Sequence, residues 1–69
     1  MEKTEYVLVS QGIEIARSEN FGKLYLEMIH SNIEWRSYVE ECIENNESYA
    51  DNEVFLYKEE NGKIVQWPF

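Results

Sequence analysis

Apolar residues recur along this chain with two rhythms, one of strands at both ends and one of a helix between them. Tyr6-Val7-Leu8-Val9 and Ile13-Glu14-Ile15-Ala16 are β-branched runs parted by Ser10-Gln11-Gly12. That predicts a hairpin, with Gly12 supplying the positive φ of a tight turn. Gln11 is not a residue that type I′ turns favour, so the expectation is a bulged turn with the register open by one residue. The second hairpin is signalled more sharply. Val54-Phe55-Leu56-Tyr57-Lys58 and Lys63-Ile64-Val65-Gln66-Trp67 flank Glu60-Asn61-Gly62, and Asn-Gly is the strongest short hairpin signal. With Asn61-Gly62 as the loop, Glu60 faces Lys63 and Lys58 faces Val65. One face then carries Val54, Leu56, Val65, Trp67 and Phe69, and the other carries Phe55, Tyr57, Glu59, Ile64 and Gln66.

From about Phe21 to Asn45 the period changes to that of a helix. Phe21, Leu24, Tyr25, Met28, Ile29, Trp35, Val39, Cys42 and Ile43 fall on one broad stripe, opposite Lys23, Glu27, His30, Glu34, Ser37, Glu41 and Glu44. Asn20 is the expected N-cap and Asn45-Asn46 the expected end. Ser31-Asn32-Ile33-Glu34 also fits a capping box, which would divide the stretch into two helices. Twenty-five helical residues span about 37 Å against about 17 Å for a five-residue strand. The helix therefore either kinks near Ser31-Asn32 or overhangs the sheet and packs on something else, such as a second copy. The order predicts an α+β fold, ββαββ: a four-stranded antiparallel sheet from two hairpins, with one face covered by a long or kinked helix. The expected core is Leu8, Ile13, Ile15, Leu24, Met28, Trp35, Val39, Leu56, Val65 and Trp67.

Length makes residues 1–69 one small domain. A chain this short leaves much of its surface exposed even when folded, so it needs a dense core or a partner. Its two Trp, five Tyr and three Phe supply the first; a homodimer would supply the second. The single cysteine, Cys42, allows no internal disulfide and no thiol-rich metal site. No apolar run approaches a membrane span, and Met1-Glu2-Lys3-Thr4-Glu5 does not read as a signal peptide. A reducing cytoplasm is the expected location.

Charge is where the sequence turns toward function. Fourteen acids against six bases leave a net −8, a field that repels nucleic acid and membrane and attracts basic protein surfaces. Glu40, Glu41, Glu44, Glu47, Asp51 and Glu53 follow one another with no Lys or Arg between them. Catalytic machinery is not legible: His30 falls on the polar helix face and Cys42 on the apolar one, and the carboxylates lie on exposed faces rather than in a cleft. The spacing of Glu47, Asp51 and Glu53 departs from a calcium loop, and the three glycines are isolated, so no metal or cofactor is expected. Phe55 and Tyr57 could stack bases, but no positive groove accompanies them.

Two readings follow. In the first, the chain is a non-enzymatic protein whose acidic residues 40, 41, 44, 47, 51 and 53 bind a basic surface of a partner. That surface could itself be one that binds nucleic acid, in the style of small phage-encoded inhibitors. In the second, the chain is a homo-oligomeric structural or assembly module, self-associating through the outer sheet face bearing Phe55, Tyr57 and Ile64 or the helix side bearing Leu26 and Ile33, with acids that serve solubility alone.

Overall fold

The computed structural model describes residues 3–69; Met1 and Glu2, part of the N-terminal reading above, lie outside the described residues. Two hairpins and one helix follow in the order β1 (Thr4–Ser10), β2 (Ile13–Ser18), α1 (Phe21–Glu44), β3 (Val54–Glu60) and β4 (Lys63–Gln66). All strands are antiparallel neighbours in one sheet of order β2-β1-β3-β4. The fold is thus the expected α+β arrangement, with β1 and β3, one from each hairpin, paired at its centre.

The second hairpin has the expected register, Glu60 opposite Lys63 and Lys58 opposite Val65. Asn61 and Gly62 both take positive φ, 52° and 79°, as a type I′ loop requires. The first hairpin differs from expectation. Gln11 and Gly12 also both take positive φ, 55° and 74°, so the turn is a regular two-residue one and Ser10 faces Ile13. Gln11 is held there by its side chain, whose Nε2 donates to Oδ1 of Asn52. The irregularity lies further along: Leu8 faces Ala16 but Val9 faces Glu14, leaving Ile15 as an extra residue. That bulge inverts the alternation of β2 beyond Ile15. Ala16 takes the place facing the helix and packs on the core, leaving Ile15 53% exposed at the bulge, while Ile13, paired with Ser10 beside the turn, is 63% exposed; both were expected in the core.

Helix α1 runs unbroken for 24 residues, about 36 Å, so the alternative of two helices parted near Ser31 is not what forms. Asn20 caps its start, accepting the Lys23 backbone N–H at 3.1 Å. Its end is closed by Asn46 in the left-handed region, with Glu47 N–H donating to Cys42 C=O at 2.8 Å and Asn46 N–H to Ile43 C=O at 3.3 Å. At the Ser31 box the helix continues, and the next residue, Asn32, ties it to the sheet. Its amide meets the first residue of β3 twice: Val54 N–H donates to Oδ1 at 2.8 Å and Nδ2 donates to Val54 C=O at 3.0 Å. A residue read as a breaker is a clamp.

The first half of α1 lies on the sheet and the second half projects past it. Leu8, Leu24, Val54 and Leu56 form the buried core, with Tyr6, Ala16, Phe21, Tyr25, Met28 and Trp67 packed around it. At one end Tyr6, Phe21, Tyr25, Trp67 and Phe69 form a continuous aromatic cluster, with ring centroids 5.2–6.2 Å apart. Val65 is 44% exposed, outside the core it was expected to join, because α1 rests on β1, β2 and β3 and leaves β4 uncovered. Beyond Asn32, the helix has only the returning segment 45–53 beside it. Trp35 and Val39 are consequently half-buried rather than central, and Trp35 Nε1 donates to the Ala50 carbonyl at 2.9 Å. The result is elongated, 52 × 20 × 18 Å with a radius of gyration of 14.2 Å, where a compact chain of this length would have about 11 Å.

Candidate docking surface

The projecting half of α1 and the segment that returns from it form an arm, residues 33–53. Its shape follows from the two Asn positions that start and stop the return: Asn46 reverses the chain and Asn32 receives it at Val54. Between them, Trp35 ties the return segment to the helix, and Cys42 fills the seam, 3% exposed. The Tyr38 hydroxyl has its pKa raised, chiefly by the neighbouring Cys42 thiol.

The arm holds seven carboxylates, Glu34, Glu40, Glu41, Glu44, Glu47, Asp51 and Glu53, against one base, Arg36. Glu40, Glu41 and Glu44 sit exposed on the last turns of α1, Glu47 follows its cap, Asp51 is exposed and Glu53 half-buried. Asp51 also accepts the Glu53 backbone N–H at 3.4 Å. Among the described residues none of the seven takes part in an ion pair. The helix charges also oppose its dipole at both ends: Lys23 lies in the first turn, where acids are favoured, and Glu41 and Glu44 lie in the last, where bases are.

Glu5, Glu14 and Glu59 are differently placed, whereas Glu27 and Glu60, among the described residues, also join no ion pair. On the sheet face turned away from α1, Arg17 of β2 meets Glu5 of β1 at 2.7 Å, Glu14 at 2.8 Å and Glu59 of β3 at 3.3 Å. Glu14 and Arg17 are three apart and would point to opposite faces of a regular strand; the Ile15 bulge brings both to the same side. The guanidinium holds the Glu5 and Glu14 carboxyls below their ordinary range, and Lys3 adds to the effect at Glu5. The carboxylates in turn raise the Arg17 pKa. This three-strand cluster was not anticipated from the sequence, because nothing in a period-two reading places residues 14 and 17 together.

The two alternative self-association surfaces lie on different sides of the molecule. Leu26 and Ile33 are 57% and 59% exposed on the back of α1. Phe55, Tyr57 and Ile64 lie on the opposite side of the molecule, on the outer sheet face. There an open depression of about 300 Å³ is lined by Val7, Val9, Gly12, Tyr57 and Ile64, with Glu14, Arg17 and Glu59 at its charged end. Ile64 is 66% exposed, and Phe55 and Tyr57 are half-buried.

His30 is exposed and Cys42 buried, twelve residues or about 18 Å of helix apart, and neither lines a depression. Among the described residues no three of His, Cys, Asp and Glu converge as metal ligands would. No helix there is long and apolar enough to cross a membrane. Set against protein-family models, curated proteins and solved structures, the chain shows no match.

Proposed function

We propose that this chain is a non-enzymatic interaction protein whose arm docks on a basic surface of a partner protein. The observation that carries this reading is the contrast between its two groups of acids. On the sheet, Glu5, Glu14 and Glu59 are ion-paired with Arg17 or Lys3, while among the described residues those on the arm stand unpaired, on a projection that reaches beyond the folded body. Glu40 and Glu44 stand one helical turn apart, about 5–6 Å, close to the step of phosphates along a nucleic-acid strand, and Glu47 follows just past the helix cap. A basic groove that ordinarily holds such a strand is the kind of partner surface this row complements, so the role is that of an inhibitor or regulator.

Glu40→Gln, Glu44→Gln and Glu47→Gln combined test it. The triple variant retains the fold and loses the partner that the parent captures from its native host, chiefly through a slower on-rate. Raised salt weakens the parent's binding steeply. Undiminished binding of the triple variant at low salt reduces the arm to a solubilising feature.

A second reading, a homo-oligomeric module, is favoured by a different observation, the large apolar side chains left exposed on the back of α1.

A further inference from the structure

The back of α1 carries a regular seam. Gly22, Leu26, Ile29, Ile33, Arg36, Glu40 and Ile43 are spaced alternately four and three apart, the spacing by which one helix presents a continuous edge to another. Leu26, Ile33 and Ile43 are 57%, 59% and 60% exposed, Gly22, Arg36 and Glu40 are exposed and Ile29 is half-buried. The chain's own elements lie elsewhere: Leu24 and Met28 meet the sheet, and Trp35 meets the return segment. Arg36 is the lone base of the arm, and among the described residues it joins no ion pair. Glu40 is four residues on, but a base preceding an acid is the weaker order for a pair within one helix.

We propose that the projecting half of α1 pairs antiparallel with the same segment of a second copy of this chain, about a twofold axis at Tyr38. In that register Ile33 lies opposite Ile43 of the second copy and Arg36 opposite Glu40, and the symmetry repeats both layers. Two ion pairs sit at the centre with an isoleucine pair at either end. The charge pattern selects the direction, because parallel pairing sets Arg36 on Arg36 and Glu40 on Glu40, and like charges juxtaposed at an interface are disfavoured. The overlap begins where the sheet ends, at the Asn32 clamp to Val54, so the two sheets lie at opposite ends of the pair without collision. About 18 Å of paired helix is shorter than standard interfaces require, so the association is weak, of micromolar order or above. It is opposed at long range by a net −8 on each copy, so salt strengthens it. This is the reverse of the salt response of partner docking, and the pairing stands or falls without any partner.

Sedimentation equilibrium of the purified chain over a wide dilution series, at low and at physiological salt, tests the pairing. The parent's mass should rise toward that of a dimer on concentration, and more readily at physiological salt. Arg36→Glu and Glu40→Arg should each weaken association roughly tenfold or more, since each sets like charges in both central layers. Mixed in equal amounts, the two single variants should associate again. One variant then carries acids at both positions 36 and 40 and the other carries bases at both, so each central layer of the mixed pair sets an acid against a base. That recovery also shows that both variants are folded. A parent that stays monomeric at every concentration overturns the proposal, as do single variants that associate like the parent or a mixture that does not recover.

Discussion

At the scale of single residues, two polar side chains decide more than their types suggest. Asn32 satisfies both backbone groups of Val54, a residue only 5% exposed. Asn32→Ala leaves that N–H and C=O without partners and should cost about 2–6 kcal/mol, at about 1–3 kcal/mol for each unsatisfied buried group. Asn32→Asp keeps the acceptor and loses the donor, so its loss in a urea titration should fall between parent and Ala. Arg17 sets the acid response. The pKa values of Glu5 and Glu14 are lower folded than unfolded, because the guanidinium hydrogen-bonds their charged forms. The stability they contribute is complete above the ordinary carboxyl range, about 4.3, and is lost as pH falls through their depressed values. Arg17→Met removes the cause and leaves three carboxylates facing one another. The parent's urea midpoint should fall on acidification below about pH 4.3 and the variant's should rise relative to it; parallel curves would sink this account.

At the scale of elements, α1 behaves as two halves. The first rests on the sheet through Leu24, 1% exposed, so Leu24→Ala should cost about 2–5 kcal/mol, most of what a domain of this size holds. Trp35 lies on the same stripe but in the projecting half. Being half-buried, it should cost about 2 kcal/mol on truncation, roughly half the value for a buried Trp. The two variants should also fail differently. Leu24→Ala unfolds the whole domain, whereas Trp35→Ala speeds amide exchange in residues 46–53 and leaves the strands protected. Uniform loss of protection in Trp35→Ala would show that the arm and the sheet are one cooperative unit. Sequence periodicity located both residues on the apolar stripe; it could not say which had a sheet beneath it. In β2, likewise, the strand was legible but not the bulge, since an extra residue changes the facing of Ala16 and Arg17 without altering their order.

At the scale of the whole molecule, the elongated shape separates a packed body from a charged arm. Acids at the dipole-disfavoured end of a helix cost about 0.3–1 kcal/mol apiece. Replacing Glu40, Glu44 and Glu47 with Gln should therefore hold or raise the melting temperature while the partner is lost. A lower melting temperature would mean that these carboxylates stabilise the fold, and the docking reading would lose its physical basis. The candidate residues were all legible one by one. What stayed open was whether the helix kinks or overhangs; only its unbroken course carries Glu40, Glu44 and Glu47 out past the sheet.

Local chemistry determined the hairpin at Asn61-Gly62, the cap at Asn20, the end at Asn45-Asn46, the helix phase and the fold class, because each depends on residues adjacent or one turn apart. The sheet order β2-β1-β3-β4, the Ile15 bulge, the Arg17 cluster and the unbroken course through Ser31 were decided only by tertiary structure. Each of those balances a local preference against a contact far along the chain. The helix continues through the Ser31 box where Asn32 meets Val54, 22 residues away, and the alternation of β2 breaks where Ala16 packs on the core and Arg17 meets Glu59, 42 residues away.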